Sequence, residues 1–170
     1  MRPQKDTYPI YYENYIPIVK QNTIKEALIA NEKETLDFFN SIPENLADFA
    51  YEKGKWTIKE VLNHLIDTER VFSYRSLRFA RKDGQLLPSY DQDPYVANAE
   101  LEGRSLKDLI HEFETVRKAT LSLFGSFSNE ALLRIGLTAA GKASVNAIGF
   151  TICGHSIHHI NVIKERYLKK

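Results

Sequence analysis

Trp56-Thr57-Ile58-Lys59-Glu60-Val61-Leu62-Asn63-His64-Leu65-Ile66-Asp67-Thr68-Glu69-Arg70 decides how this chain is read. Thr57 followed three residues later by Glu60 is a capping box. The hydroxyl accepts from a free N–H of the first turn and the carboxylate reaches back to the N–H of the cap. A helix therefore starts here. Its inward face carries Val61, His64, Leu65, Thr68, Phe72 and, at its edge, Arg75, at three- and four-residue steps. The pattern runs to about Lys82, and Gly84 is expected to stop it through its tolerance of positive φ. One histidine thus lies on an apolar helix face.

Working outward, three more long helices follow from the same signals. Upstream, Asn22 reads as the N-cap of a helix from about Thr23 to Ser41. Its stripe is Ile24, Ala27, Leu28, Thr35, Phe38, Phe39 and Ile42, and Pro43 ends it. Residues 43–55 connect the two, with a short helix expected at Asn45–Ala50 and a turn at Gly54. Downstream, Ser105 and Asp108 cap a third helix to about Phe124, with Leu106, Leu109, Ile110, Phe113, Val116 and Leu121 inward. Ser128–Leu133 reads as one more helical turn, and residues 134–143, with Gly136 and Gly141, as a connection or small hairpin. Ser144 caps the fourth helix, from about Val145 to Leu168, with Val145, Ile148, Ile152, His155, His159, Val162 and Ile163 inward. Gly149 and Gly154 cost it up to about 1 kcal/mol each relative to alanine and permit a close neighbour or access to a site. Four amphipathic helices point to an all-α four-helix bundle. Such bundles build metal sites from side chains on facing helices.

The fourth helix carries the second chemical signal, Gly154-His155-Ser156-Ile157-His158-His159, which holds three of the five histidines. His155 and His159 stand one turn apart on the same face. With His64 on the inner face of the second helix, three neutral imidazoles converge if the two helices are neighbours. Neutral imidazole suits zinc, nickel, iron or copper, and three protein ligands leave positions for water or substrate. The plainer account of any single buried histidine is a hydrogen-bonded core residue. The inward placement of all three tips the reading to a metal site. His158, about 100° round the helix from His159, is either an outer neighbour of the site or a replacement ligand if the helical phase differs. His111 lies off the stripe of its helix and reads as exposed.

The remaining candidates are weaker. Cys153 lies on another face from His155 and reads as a small buried thiol. Trp56 reads as a core anchor beside the cap. Asp67, Glu69, Arg70 and Arg75 read as a solvated helix face with ion pairs. Residues 84–104 form a long connection whose centre, Leu87-Pro88-Ser89-Tyr90-Asp91-Gln92-Asp93-Pro94-Tyr95, is rich in aromatics and carboxylates. A connection of that length is usually functional or a crossover. Tyr90, Asp91 and Asp93 are its candidates for acid, base or substrate contact. Turn formation beside Pro94 is the ordinary alternative for the two aspartates. Residues 1–17, with Pro9 and Pro17, read as an extended arm packed by Tyr8, Tyr11, Tyr12 and Tyr15.

The 170 residues suggest one domain, 1–170, with 1–22 as an N-terminal arm. A balance of 23 basic against 22 acidic residues gives no general electrostatic case for nucleic acid or an anionic membrane. No apolar run approaches the about 20 residues that span a bilayer, and the polar start carries no secretory h-region. One cysteine permits no internal disulfide, which fits a cytoplasmic location.

Three motifs together resemble those of the DinB/YfiT-like superfamily of metalloenzymes: Trp56-Thr57 through His64 to Glu69, the connection Pro88-Ser89-Tyr90-Asp91-Gln92-Asp93, and Gly154-His155-Ser156-Ile157-His158-His159. The likeness covers most of residues 30–168. It implies a four-helix bundle of up-down-down-up topology with a long crossover. It also implies a divalent metal, most often zinc or nickel, held by His64, His155 and His159, and a homodimer. Some relatives transfer low-molecular-weight thiols and some are called hydrolases. The expected activity is therefore a His₃ metal site that activates water or a thiol cosubstrate on a small molecule. The competing expectation is a non-catalytic metal-binding or stress-response scaffold.

Overall fold

The capping box at Thr57 is made. In the computed structural model, which describes residues 1–169, the Thr57 hydroxyl accepts from the Glu60 N–H at 3.2 Å and the Glu60 carboxylate accepts from the Thr57 N–H at 2.6 Å. In chain order the elements are α1 (Ile24–Asn40), α2 (Ile58–Ala80), α3 (Gln92–Ala97), α4 (Leu106–Gly125), α5 (Asn129–Leu133), β1 (Ile135–Thr138), β2 (Gly141–Ser144) and α6 (Val145–Val162). Ser105 and Asp108 form a second box at the start of α4. A third box opens α1, but at Thr23 and not Asn22. Glu26 stands three residues after Thr23, whereas Asn22 is followed at that spacing by Lys25, which cannot reach back as an acceptor.

Helices α1 and α2 each pack against α4 and α6. Near its start α2 donates from Lys59 to Arg104 O (3.1 Å), just before α4, and further along Ser73 meets Thr120 of α4 at 3.0 Å. These two helices therefore run parallel. The Tyr167 hydroxyl, just past the end of α6, donates to Trp56 O (2.7 Å) just before α2, so that pair is antiparallel. Ile24 of α1 touches Gly149 of α6 near both starts, and Lys164 covers the Phe38 ring at 5.3 Å near both ends. The result is the expected up-down-down-up bundle with a crossover between two parallel helices. Among the described residues no helix is long and apolar enough to cross a membrane.

The core has two parts. Phe79, Phe124, Phe150 and Ile152 join the arm residues Tyr8, Tyr12, Ile16 and Val19 at one end. Phe39, Leu62, Leu65, Phe113 and Ile163 fill the other. Each such side chain contributes on the order of 1.5–3 kcal/mol by leaving water. On α6 the first part ends at Cys153 and the second begins at Ile160, so His155 and His159 fall between them.

Several local expectations change. The arm is not extended: it winds through three 3₁₀ turns at Lys5–Thr7, Ile10–Asn14 and Ile16–Ile18, and Tyr11 lies at its exposed edge. The Arg2 guanidinium fastens it by donating to Ile16 O, Val19 O and Gln21 O at 2.6–2.9 Å. Only one 3₁₀ turn, Glu44–Leu46, forms between α1 and α2. Helix α2 ends at Ala80, and Lys82, with φ of 61°, takes the left-handed conformation expected of Gly84. The crossover contains α3. The hairpin is present, pairing Ile135 with Ser144 through Thr138 with Gly141, and Leu87 of the crossover bridges in parallel to Thr138. The last turn of the fourth helix, Ile163–Tyr167, is a π turn. On α4 the buried positions include Arg117 and Thr120, while Ile110, Val116 and Leu121 are only partly covered.

The largest correction concerns the charged residues of α2. Asp67 and Arg70 pair at the half-exposed surface (3.6 Å), as expected. Glu69 and Arg75, however, are 2% and 6% exposed. Glu69 accepts both Nε and an Nη of Arg117 at 2.8 Å, and Arg117 also donates to Asn31 Oδ1 at 2.9 Å. A glutamate looks solvated in sequence when its partner is 48 residues away.

Candidate metal centre

α2 and α6 present three imidazole edges to one point. His64 Nε2 lies 3.0 Å from His155 Nε2, and His159 Nε2 lies 3.1 Å from the same atom. All three candidate ligand atoms fall within 4.8 Å of one another. Two nitrogens bound to one tetrahedral zinc at 2.0–2.1 Å are separated by about 3.3 Å. The observed spacings are close to that edge length.

The donor chemistry fits a cation better than it fits a hydrogen-bonded cluster. A ring nitrogen carries either one proton or one lone pair. His155 Nε2 therefore cannot make good linear bonds to both neighbours, whichever tautomer it adopts. A positive ion accepts all three lone pairs together. His64 and His155 are 1% and 8% exposed, and burial lowers the pKa of each ring. His64 falls to about 4 and His159 to about 3, with the neighbouring histidines adding to the effect of burial at His159. The rings are thus neutral near pH 7, the state a metal requires.

The surroundings hold these rings in place. Thr68, one turn after His64, sits with its hydroxyl 3.4 Å from His64 Nδ1. The Trp56 ring covers His64 at 4.9 Å, so this residue does more than anchor the cap. Tyr15 of the arm meets His155 edge-on at 5.4 Å and His158 at 5.6 Å. A Cβ on Gly154 would lie 2.2 Å from Tyr15 O, so glycine is what lets the arm's backbone close over α6. His158 is exposed and its Nε2 and Nδ1 are not in the cluster, while His111 is exposed on α4, as expected. Cys153 is fully buried, and burial pushes its thiol up to about 12, which leaves it an inert core group.

His155 also forms part of the wall of a cavity of about 330 Å³, together with Tyr15, Thr68, Phe72, Arg75 and Tyr90. Of the three crossover candidates, only Tyr90 reaches it. The Tyr90 hydroxyl is buried near Thr68 without a hydrogen bond of ordinary geometry, and burial raises its pKa, so it remains a proton donor. Asp91 is exposed and caps α3, its carboxylate accepting from the Asp93 N–H at 3.3 Å. Asp93 is exposed in the first turn of α3. Ser89 and Gln92, which belong to the crossover motif but were not among its candidates, do line the cavity.

The sequence model of the DinB superfamily matches residues 27–163, which includes all three histidines. The chain belongs to the DinB superfamily. Two solved structures share this DinB architecture. One is YfiT from Bacillus subtilis, described as a probable metal-dependent hydrolase with an unusual four-helix bundle topology. It is 17% identical with a TM-score of 0.65, over 99% of this chain and 92% of YfiT. The other is the DinB-like protein YjoA, also from Bacillus subtilis. It is 17% identical with a TM-score of 0.60, over 88% of this chain and 94% of YjoA. No curated protein matches the chain.

Proposed function

We propose that the protein is a metal-dependent enzyme of the hydrolase type, with His64, His155 and His159 holding one divalent ion. The observation that carries this reading is the meeting of three neutral imidazole Nε2 atoms, 3.0 and 3.1 Å apart, beside a cavity large enough for a small molecule. The likeness to YfiT is in keeping with it. When bound, such an ion supplies Lewis acidity and lowers the pKa of water or a thiol, so that a nucleophile is available at neutral pH. Three protein ligands leave coordination positions for that nucleophile or the substrate.

The chain's own residues supply the rest. Thr68 and Trp56 fix the plane of His64, and Tyr15 fixes that of His155. Burial keeps the rings deprotonated and excludes bulk water from their inner side. Tyr90 holds a proton within the cavity, where it can donate to a developing negative charge on the substrate. Asp91 and Asp93 serve to start α3 and thereby set the position of Tyr90. The same reading takes the ion as zinc or nickel, the chain as a single domain acting as a homodimer in the cytoplasm, and a low-molecular-weight thiol as an alternative to water.

Metal analysis of protein purified without a histidine tag tests it. About one divalent ion per chain is expected, and His155→Ala with His159→Ala abolishes it. Metal-free wild type at equilibrium with added zinc or nickel, or full retention by the double variant, refutes the ligand set. Loaded protein is then assayed on esters, amides and thiol–electrophile pairs. Turnover no greater than that of His64→Ala favours a metal-binding scaffold.

A further inference from the structure

Among the described residues Arg75 is the one cation on the wall of the histidine cavity, and no acid shares that wall. It is 6% exposed, and among the described residues no carboxylate lies within 4.0 Å of it. Each of the buried or half-buried acids on the same helix is already engaged elsewhere: Glu60 by the Thr57 N–H, Asp67 by Arg70 and Asn63, and Glu69 by Arg117. One Nη of Arg75 donates to Pro88 O at 2.8 Å, and the guanidinium lies 5.5 Å from the Phe72 centroid. Those contacts orient the group without neutralising it. Pro88 fixes one prong, and the remaining N–H groups are left without a carboxylate of the protein.

A buried, uncompensated charge is unfavourable unless something pairs with it. Arg117 shows how this fold treats a guanidinium it means to neutralise, with a bidentate glutamate at 2.8 Å. We propose that Arg75 binds a carboxylate of the substrate, so that the cavity takes small aromatic or aliphatic carboxylates and holds their reactive end toward the histidines. The guanidinium fork matches a carboxylate in two parallel hydrogen bonds. Tyr11, Tyr15, Phe72 and Tyr90 supply an aromatic wall for the body of the molecule, and about 330 Å³ admits a small acid. The inference rests on the cavity being the substrate site of the proposed function, but it does not require an ion to be bound.

The test therefore uses metal-free protein, in which a carboxylate has no ion to coordinate. Benzoate and its neutral analogue benzamide are titrated against it by protein-observed NMR. Benzoate is expected to bind at least about tenfold more tightly than benzamide, with shifts at residues of the crossover and α2. Arg75→Gln, which keeps a polar N–H but removes the charge and the fork, is expected to lose that preference. Arg75→Lys retains part of it, as a point charge without the fork. Equal binding of the two probes, binding of neither, or a preference that survives Arg75→Gln in a variant shown to be folded by circular dichroism overturns the assignment. Metal content of Arg75→Gln after reloading is expected to equal that of wild type. A missing ion in wild type would instead count against the histidine site and leave the benzoate result standing.

Discussion

α2 carries two buried polar clusters on different faces, and they are satisfied in different ways. On one face Glu69 and Arg117 close on each other through two bonds of 2.8 Å, with Asn31 taking a further donor. Every strong charge there has a protein partner. On the other face His64, His155 and His159 meet only through their own ring nitrogens, beside a cavity with an unpaired Arg75. The first cluster is complete without anything else, and so its role is structural. The second is not closed by protein atoms, and that opening is what supports the proposed chemistry there. His64 and His155 are buried like Glu69 and Arg117, with His159 half-buried beside them; closure by protein atoms is what separates the two clusters.

The contrast breaks most severely at Arg117. Arg117→Met leaves the Glu69 charge buried and alone, with an expected loss of about 3–5 kcal/mol in denaturant unfolding. Adding Glu69→Leu to that variant recovers most of the loss, because a well-packed apolar pair is close to neutral in cost. A single-variant loss below about 1 kcal/mol would mean that the pair behaves as a surface one.

Acid should act on the other cluster. In metal-free protein the folded pKa of His64 is about 4 and that of His159 about 3, against about 6.5 unfolded. Between those values the unfolded chain binds more protons, so stability rises with pH in that window. Their contribution is fully present above pH 6.5 and is lost as pH falls toward 4 and then 3. Urea midpoints measured across this range on wild type and on His64→Ala with His159→Ala isolate it. An equal slope in both would remove the histidines as its source.

A smaller effect is expected at the closure between arm and helix. Gly154→Ala places a Cβ 2.2 Å from Tyr15 O and forces the arm outward. The expected loss is about 1–3 kcal/mol, with faster proteolysis within the first 20 residues. Unchanged proteolysis would show that the arm yields without leaving. Least of all, Thr68→Val removes the hydroxyl 3.4 Å behind His64. The fold is retained and metal affinity falls by about tenfold in competition with a chromophoric chelator. No change in affinity would leave Thr68 as packing only.

How much of this was legible follows from chemical range. The long helices could be read because their signals are local: Thr57 with Glu60 and Ser105 with Asp108 lie within one turn. His64, His155 and His159 could be placed because helical phase is local too, although their meeting required two helices to be neighbours. The burial of Glu69 was not legible, since its partner lies 48 residues away and an acid on a helix face looks the same with or without one. The left-handed turn at Lys82 displaced the expectation for Gly84 because local hydrogen bonding, from Asp83 N–H to Arg78 O at 3.0 Å, closed the helix earlier. The 3₁₀ turns of the arm, and the role of Tyr15, arise from contact with α6 and have no periodic trace. α3 was hidden by its length, although Asp91 at its start is a cap of the usual kind.

The arm has a consequence for the order in which this fold can close. Its partners lie almost a whole chain away: Met1 O accepts from Asn146 across 145 residues, and Thr7 meets Ser144 across 137. These contacts cannot form until α6 is in place, however early the arm has packed Tyr12 against Phe72 of α2. Two of the three histidines belong to that same helix. The cavity wall formed by Tyr15 and the ring cluster behind it therefore appear together, when α6 docks. A chain in which α6 has not yet docked leaves Tyr15 of the arm and His64 of α2 without the rings they meet in the finished fold.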